Sequence, residues 1–258
     1  MKYILGAFFI CFIIFMVLML FQKDKGKDIT QTYKEHCPNV GKSTGKHSSG
    51  MYEKVAKPLI DKILSFIGLV LLSPAFLIIC IAIYVTDPGP VFFCQSRVGK
   101  NKELFLLHKF RSMKMCTPHD MPTHLLENPD QYITSIGKIL RKTSLDELPQ
   151  IWDIFLGNMS IIGPRPALWN QFDLIEERDK YGANDVRPGL TGWAQVNGRD
   201  ELEIAVKAKF DGDYTNHVSF SFDIKCFFRT ITSVLKHDGV VEGGTGVINK
   251  NEDRKEAD

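Results

Sequence analysis

The sequence lacks a surplus of charge of either sign: its 258 residues carry 32 Lys and Arg against 30 Asp and Glu, a formal net charge of +2. Binding a polyelectrolyte by charge needs a basic excess, so overall charge speaks against nucleic acid as a partner. Paired cysteines are lacking too. The six, at 11, 37, 80, 94, 116 and 226, form no C-x-x-C pair, and two lie in apolar runs. They read as reduced, structural thiols rather than a disulfide framework or a zinc site. Residues 23–50 lack a sustained apolar period and, rich in Lys, Ser, Gly and Thr, read as a flexible linker.

Long hydrophobic runs, by contrast, are present twice. Residues 4–21 form an uncharged apolar run of 18, about 27 Å as a helix and close to the thickness of a bilayer core. No small-residue cleavage motif follows it, so residues 1–22 read as an uncleaved transmembrane anchor. Lys23, Lys25 and Lys27 follow the run and only Lys2 precedes it, which keeps the downstream side cytoplasmic.

The second run, residues 63–85, has the hydropathy of another spanning helix. Two features argue against that reading. Lys54, Lys57 and Lys62 precede it and Arg97, Lys100, Lys102, Lys109 and Arg111 follow it, so both flanks look cytoplasmic. Pro74 lacks the N–H that the Val70 carbonyl needs, and Ser73 beside it can offer a hydroxyl instead. A break at Ser73-Pro74 divides the run into arms of roughly 15 to 18 Å, each about half of a core of about 30 Å. A re-entrant helix-break-helix and a kinked spanning helix both fit. "TDPGP" (86–90) then ends the helix.

Residues 91–113 alternate apolar and polar positions around "GKNK", which predicts a short hairpin, with His108, Lys109 and Arg111 at its end. In "ITSIGKILRK" (133–142), Ile133, Ile136, Ile139 and Leu140 recur at helical spacing, suited to a membrane interface or to a protein core. "LRKTSLDELPQ" (140–150) follows. Ser144 to Glu147 matches a capping box. The alternative is chemistry: carboxylates beside Arg141 and Lys142 at a helix start are held ionised, where one can attack phosphorus and the other hold Mg²⁺ or move a proton. Arg165, Arg187 and Arg199 lie on Gly- and Pro-rich turns and can fork onto phosphate oxygens, or simply decorate surface loops.

Taken in order, "LLSPAFLIICIAI", "PGPVFF", "RVGK", "KFRSM", "RKTSLDELPQ", "GNMSIIGPRP" and "RPGLTGWAQVNGR" resemble the bacterial sugar transferases, the monotopic polyprenyl-phosphate phosphoglycosyl transferases. The resemblance covers about residues 51–240. It implies an α+β, mainly helical, membrane-embedded fold with a re-entrant helix over 63–85 broken at Ser73-Pro74, and interfacial amphipathic helices. It implies transfer of a sugar 1-phosphate from a UDP-sugar to polyprenyl (undecaprenyl) phosphate on the cytoplasmic face of a bacterial inner membrane, releasing UMP. Asp146 falls on the family's nucleophile. Glu147 supports metal binding or proton transfer, with Mg²⁺ held by Asp146 and Glu147.

Lys109, Arg111, Arg141 and Arg165 match its phosphate-contacting residues, and Arg187, Gln195 and Arg199 its nucleotide or sugar contacts. Asp223 matches a further acidic position. Implied partners are the two substrates, the bilayer and downstream glycosyltransferases.

Three departures stand out. Cys94 replaces a basic or polar residue, Asn158 replaces the acid of "GDMS", and the N-terminal anchor with its linker is absent from the smallest members. A non-enzymatic membrane scaffold is the competing reading, explaining the anchor and basic faces but not Asp146 and Glu147 among arginines. CDP-alcohol phosphotransferases need several spanning helices and a spaced aspartate motif that the sequence lacks. Residues 241–258, rich in charge and glycine, read as a disordered tail.

Overall fold

A computed structural model describes residues 2–20, 29–37, 39–117, 129–198 and 202–236. Over these the fold is α+β and mainly helical, with two sheets of two strands each. The tail over 241–258 and residues 23–28 of the expected linker lie outside the described residues.

Helix α1 (Lys2–Leu20) and helix α2 (Thr30–His36) precede α3 (Lys57–Thr86), which a π-helical turn (Tyr52–Ala56) introduces. Pro58 sits in the first turn of α3, where its missing N–H has no helical partner to lose. Buried positions along α3 are Lys57, Asp61, Ser65, Leu69, Ser73, Phe76, Cys80 and Ile83. They recur every three or four residues, so one face meets protein from end to end. The other face leaves Ile63, Leu64, Ile67, Leu71, Ile78, Ile81 and Val85 exposed.

The helix runs through Pro74 as one hydrogen-bonded element, without the interruption expected at Ser73-Pro74. The reason is local. Ser73 Oγ donates to the Val70 carbonyl at 2.7 Å, the group that Pro74 leaves free, and lies 3.1 Å from the Phe8 carbonyl of α1. Phe12, Phe15 and Met19 of α1 join Leu69, Phe76 and Cys80 in one apolar core, with the Phe15 and Phe76 rings 4.6 Å apart.

The predicted hairpin is present: β1 (Phe92–Val98) pairs antiparallel with β2 (Leu104–Phe110). Asn101 and Lys102 take left-handed backbone in its turn. Side chains alternate across a strand. Phe92, Cys94 and Phe110 therefore enter the core beneath α3, while Leu107 meets Ile154 and Met159. Cys94, expected to replace a headgroup contact, is a buried apolar filler.

Helix α4 (Ser135–Lys142) is capped by Thr134, whose hydroxyl accepts from the Gly137 N–H. Ile133 and Leu140 are buried and Ile136 packs on the core, whereas Ile139 is 58% exposed. Most of the apolar stripe serves a protein core. A 3₁₀ turn (Leu145–Glu147) leads to α5 (Gln150–Leu156).

The expected capping box is absent. Ser144 is left-handed with φ 55°, its side chain makes no cap hydrogen bond, and Pro149 precedes α5 as its N-cap. Asn158 is exposed, and its backbone N–H closes the end of α5 on the Asp153 carbonyl.

After β3 (Ser160–Ile162) come α6 (Phe172–Asp179), β4 (Gly189–Thr191), α7 (Trp193–Val196), α8 (Ile204–Asn216) and α9 (Phe220–Lys236). β3 and β4 pair in parallel. A Cβ at Gly163 would stand 2.5 Å from the Arg187 carbonyl oxygen, and one at Gly189 2.1 Å from the Gly163 nitrogen. The glycines of "GPRP" and "RPGLTG" therefore serve close backbone approach.

The stretch read as a flexible linker differs where it is described. Tyr33 and Cys37 pack with Val98, Leu174 and Ile175, and Tyr33 donates to the Lys102 carbonyl. Ser43 and Thr44 donate to Asp185 at 2.9 and 2.6 Å. Two apolar anchors and a few hydroxyls dock the segment without a sustained period.

Candidate active site

The hairpin alternation turns Lys109 away from the core side of Phe110. Its ammonium donates to Glu147 Oε1 at 2.8 Å. Arg165, on the turn after β3, forks onto the same carboxylate: Nη2 to Oε1 at 2.7 Å and Nη1 to Oε2 at 3.3 Å. Lys109 and Glu147 each keep 19% of their side-chain surface. Arg141 closes the other side, its Nε donating to Ser112 Oγ at 2.9 Å while its charge acts on Asp146.

The two carboxylates are driven apart. Burial pushes Glu147 up, but Arg165 and Lys109 outweigh it and hold it well below the usual carboxylate range. Asp146 shifts the other way: burial raises it, Glu147 raises it further, and Lys109 and Arg141 offset only part. Lys109 is lowered despite its ion pair, by burial and by the charges of Arg165 and Arg97. Three cations, Lys109, Arg141 and Arg165, thus act on two carboxylates while Arg97 acts on Lys109, and with all ionised the cluster carries more positive than negative charge. A phosphate entering here finds uncompensated positive charge in a poorly hydrated place.

Two residues that motif reasoning did not assign to the site support it. Arg97 lies on the same face of the hairpin as Phe93, the partner of Lys109, and donates to the Pro166 carbonyl at 3.1 Å. Alternation along β1 carried that signal. Asp153, fully buried on α5, accepts from the His108 backbone N–H at 3.0 Å and pairs with ring Nδ1 at 2.7 Å. This fixes β2 against α5 one residue from Lys109. No sequence signal linked them across 45 positions.

The other expected residues lie elsewhere. Arg111 is buried against Asp87, donating to its carbonyl at the end of α3, with Nε and Nη1 lacking hydrogen-bond partners. Arg187 lines a cleft with Lys57 and Asp61. Gln195 donates to the Leu190 carbonyl at 3.2 Å, and its buried Oε1 has no partner. Asp223 is buried with Lys57 at 2.5 Å and the hydroxyls of Tyr52 and Tyr214, both at 2.7 Å. Arg199 lies outside the described residues.

For a divalent cation the donor set divides. Glu147 is committed through both oxygens to Arg165 and Lys109, so it does not fit a ligand role in this arrangement. Among the described residues no three His, Cys, Asp or Glu side chains gather. Asp146 alone fits, as a single carboxylate beside substrate phosphates, which is sufficient for Mg²⁺.

Residues 52–237 match the family model for bacterial sugar transferases. A UDP-glucose:undecaprenyl-phosphate glucose-1-phosphate transferase of Xanthomonas campestris pv. campestris is 40% identical over 191 residues, 71% of this chain and 40% of that protein. The exopolysaccharide production protein ExoY of Rhizobium meliloti is 34% identical over 199 residues, 72% of this chain and 88% of that protein. A UDP-N-acetylgalactosamine-undecaprenyl-phosphate N-acetylgalactosaminephosphotransferase of Aeromonas hydrophila is 36% identical over 183 residues, 68% of this chain and 43% of that protein. The chain thus spans well under half the length of two of these three relatives.

Proposed function

Because the chain belongs to the bacterial sugar transferase family, we propose that it transfers a sugar 1-phosphate from a UDP-sugar to polyprenyl phosphate, releasing UMP. The relatives named above act on different sugars, so the proposal commits to the UDP-sugar class. The observation that carries it is the divided dyad: Glu147, held through both oxygens by Lys109 and Arg165, beside Asp146, whose side chain makes no such pair among the described residues.

Asp146 is the nucleophile. One carboxylate oxygen bonds to the β-phosphorus of the donor, the P–O bond of the diphosphate breaks, and UMP leaves with the electron pair. An oxygen of polyprenyl phosphate then attacks the same phosphorus. The aspartyl P–O bond breaks, and the Asp146 carboxylate is restored. Lys109, Arg141 and Arg165 hold the phosphoryl oxygens as negative charge shifts during each displacement. Glu147 keeps Lys109 and Arg165 in place and is too stabilised an anion to compete as nucleophile. Asp146 would be the residue to hold Mg²⁺, which when bound would supply neutralisation of phosphate charge.

The setting is the cytoplasmic face of a bacterial inner membrane, with the product passed to downstream glycosyltransferases. Two features of α3 support a monotopic arrangement. Beyond Lys62 its exposed face is largely apolar, and both ends are tied to one polar body, through Asp61 to Ser160 and through Asp87 to Arg111. A helix crossing the bilayer would separate those partners onto opposite faces.

The test is UMP release from UDP-sugars by protein reconstituted with polyprenyl phosphate and Mg²⁺, beside Asp146→Asn. Release with one donor that needs Asp146 supports the reading. Full activity in Asp146→Asn overturns the nucleophile, and silence with every donor from folded protein favours a scaffold.

A further inference from the structure

A second cationic site lies at the opening turns of α3, separate from the dyad. A cleft of about 170 Å³ is lined there by Lys54, Lys57, Lys100 and Arg187, with Glu53 and Asp61. Three of the charged groups are already committed: Lys57 to Asp223, Asp61 to Ser160 and the Ile161 N–H, and Glu53 to His47 and Ser49. Lys100 is only 3.7 Å from Glu53 and keeps 42% of its side-chain surface. Lys54 and Arg187 make no side-chain hydrogen bond or ion pair among the described residues. The cleft therefore presents two free cations and a third loosely held, on a framework fixed by buried pairs.

None of these side chains hydrogen-bonds to Asp146 or Glu147. Lys100 sits in the hairpin turn, and seven residues of β2 separate that turn from its far end near Lys109, roughly 20 Å of extended chain.

The helical segment that lines the cleft also carries an exposed apolar stripe. Met51, Val55, Leu59 and Ile63 recur every four residues, with exposures of 79, 57, 58 and 50%. That stripe continues directly into the bare apolar face of α3. Free cations beside an apolar ramp match an amphiphile whose anionic head enters the cleft while its chains follow the stripe.

We propose that this cleft binds the phosphate headgroup of an anionic bilayer lipid. Lys54, Lys100 and Arg187 contact the phosphate oxygens, and the acyl chains lie along Val55, Leu59 and Ile63. The proposal rests on the membrane setting argued above but not on the transferase chemistry. It gives Arg187 a ligand other than the nucleotide, and fixes the depth of the entry end of α3.

The experiment is amine acylation of the full-length protein, read at Lys54 by mass spectrometry, with Lys180 as an internal reference. Nanodiscs of phosphatidylcholine are compared with nanodiscs containing phosphatidylglycerol, and UMP release is assayed in the same samples. Phosphatidylglycerol is expected to slow acylation of Lys54 about fivefold, the factor for one cation at an anionic surface, and Arg187→Gln to reduce that protection. A general surface effect would survive Arg187→Gln and overturns the proposal. So does equal acylation in both discs. In detergent, protection of Lys54 by inorganic phosphate alone reassigns the cleft to a soluble anion, and protection by a UDP-sugar reassigns it to the donor site. Lipid protection without UMP release leaves the cleft standing and sinks the transferase reading instead.

Discussion

Two clusters of charge in this protein are built from the same residue types to opposite ends. Around Asp223, one carboxylate meets one ammonium, Lys57, and two hydroxyls, from Tyr52 and Tyr214. Every bond is internal, and with Asp61 also acting on Lys57 no positive charge is left over. Around Asp146 and Glu147, three cations act on two carboxylates with Arg97 close behind Lys109, and only Glu147 is saturated. A buried pair whose partners satisfy one another costs a great deal to break and has little left to offer a ligand. A cluster left short of negative charge is worth less to the fold and more to an incoming anion. The difference also divides the expected site: Asp223, matched by motif to an acidic family position, sits in the internally satisfied cluster.

The comparison breaks first at Asp146. Asp146→Asn is expected to lower UMP release on the order of 10⁴-fold or more while thermal unfolding stays put or moves up, since a carboxylate with a raised pKa strains the fold when ionised. Loss of activity together with loss of fold would make the two clusters alike.

Asp223→Asn is the mirror experiment. Leaving Lys57 buried without its counter-charge is expected to cost about 3 to 5 kcal/mol of stability, read as a lower unfolding temperature. The fraction still folded keeps most of its turnover.

Glu147→Gln comes next, with UMP release reduced about 10² to 10³-fold, the effect of losing one fixed electrostatic partner. The stability effects of the dyad run in opposite directions with pH. Glu147 is depressed in the fold, so its contribution is present above the ordinary glutamate pKa of about 4.3 and fades as pH falls. Asp146 is raised, so its contribution is present at low pH and is lost as pH rises through its folded value. Because the nucleophile must be ionised, the acid limb of kcat/KM is expected above the ordinary aspartate value of about 3.9. An acid limb at or below that value would contradict the environment described for Asp146.

The smallest effect belongs to Ser112→Ala, which removes the acceptor holding Arg141 Nε. A loosened Arg141 offsets less of the burial of Asp146, so the acid limb moves upward and turnover falls a few-fold, about 1 kcal/mol for a single hydrogen bond.

How much of this was legible in the sequence depends on the distance over which a contact acts. The hairpin shows in its alternation and in "GKNK". The donation of Ser73 to the Val70 carbonyl follows from Pro74, the next residue, which leaves that carbonyl one turn earlier without its helical partner. Adjacent carboxylates in "SLDEL" drew attention by themselves. The pairing of Glu147 with Lys109 and Arg165 spans 38 and 18 positions, and only ordered family motifs brought those residues together. Ser144 misled for a physical reason: a capping box needs extended backbone at the cap, and Ser144 is left-handed, so its side chain cannot reach forward. Where the segment before α3 is described, Tyr33 and Cys37 pack it and Asp185 binds it through tertiary contacts that leave no periodic trace in the sequence.

The attachment of α3 at both ends carries a mechanical consequence. A helix free at one end meets a thicker or thinner bilayer by tilting. Here Asp61 pins one end to the strand of Ser160 and Asp87 pins the other to Arg111, so tilting would drag the soluble body with it. In the membrane setting proposed above, the lipids would have to adapt around the helix, stretching or thinning locally, and the protein becomes a fixed gauge against which membrane thickness is felt.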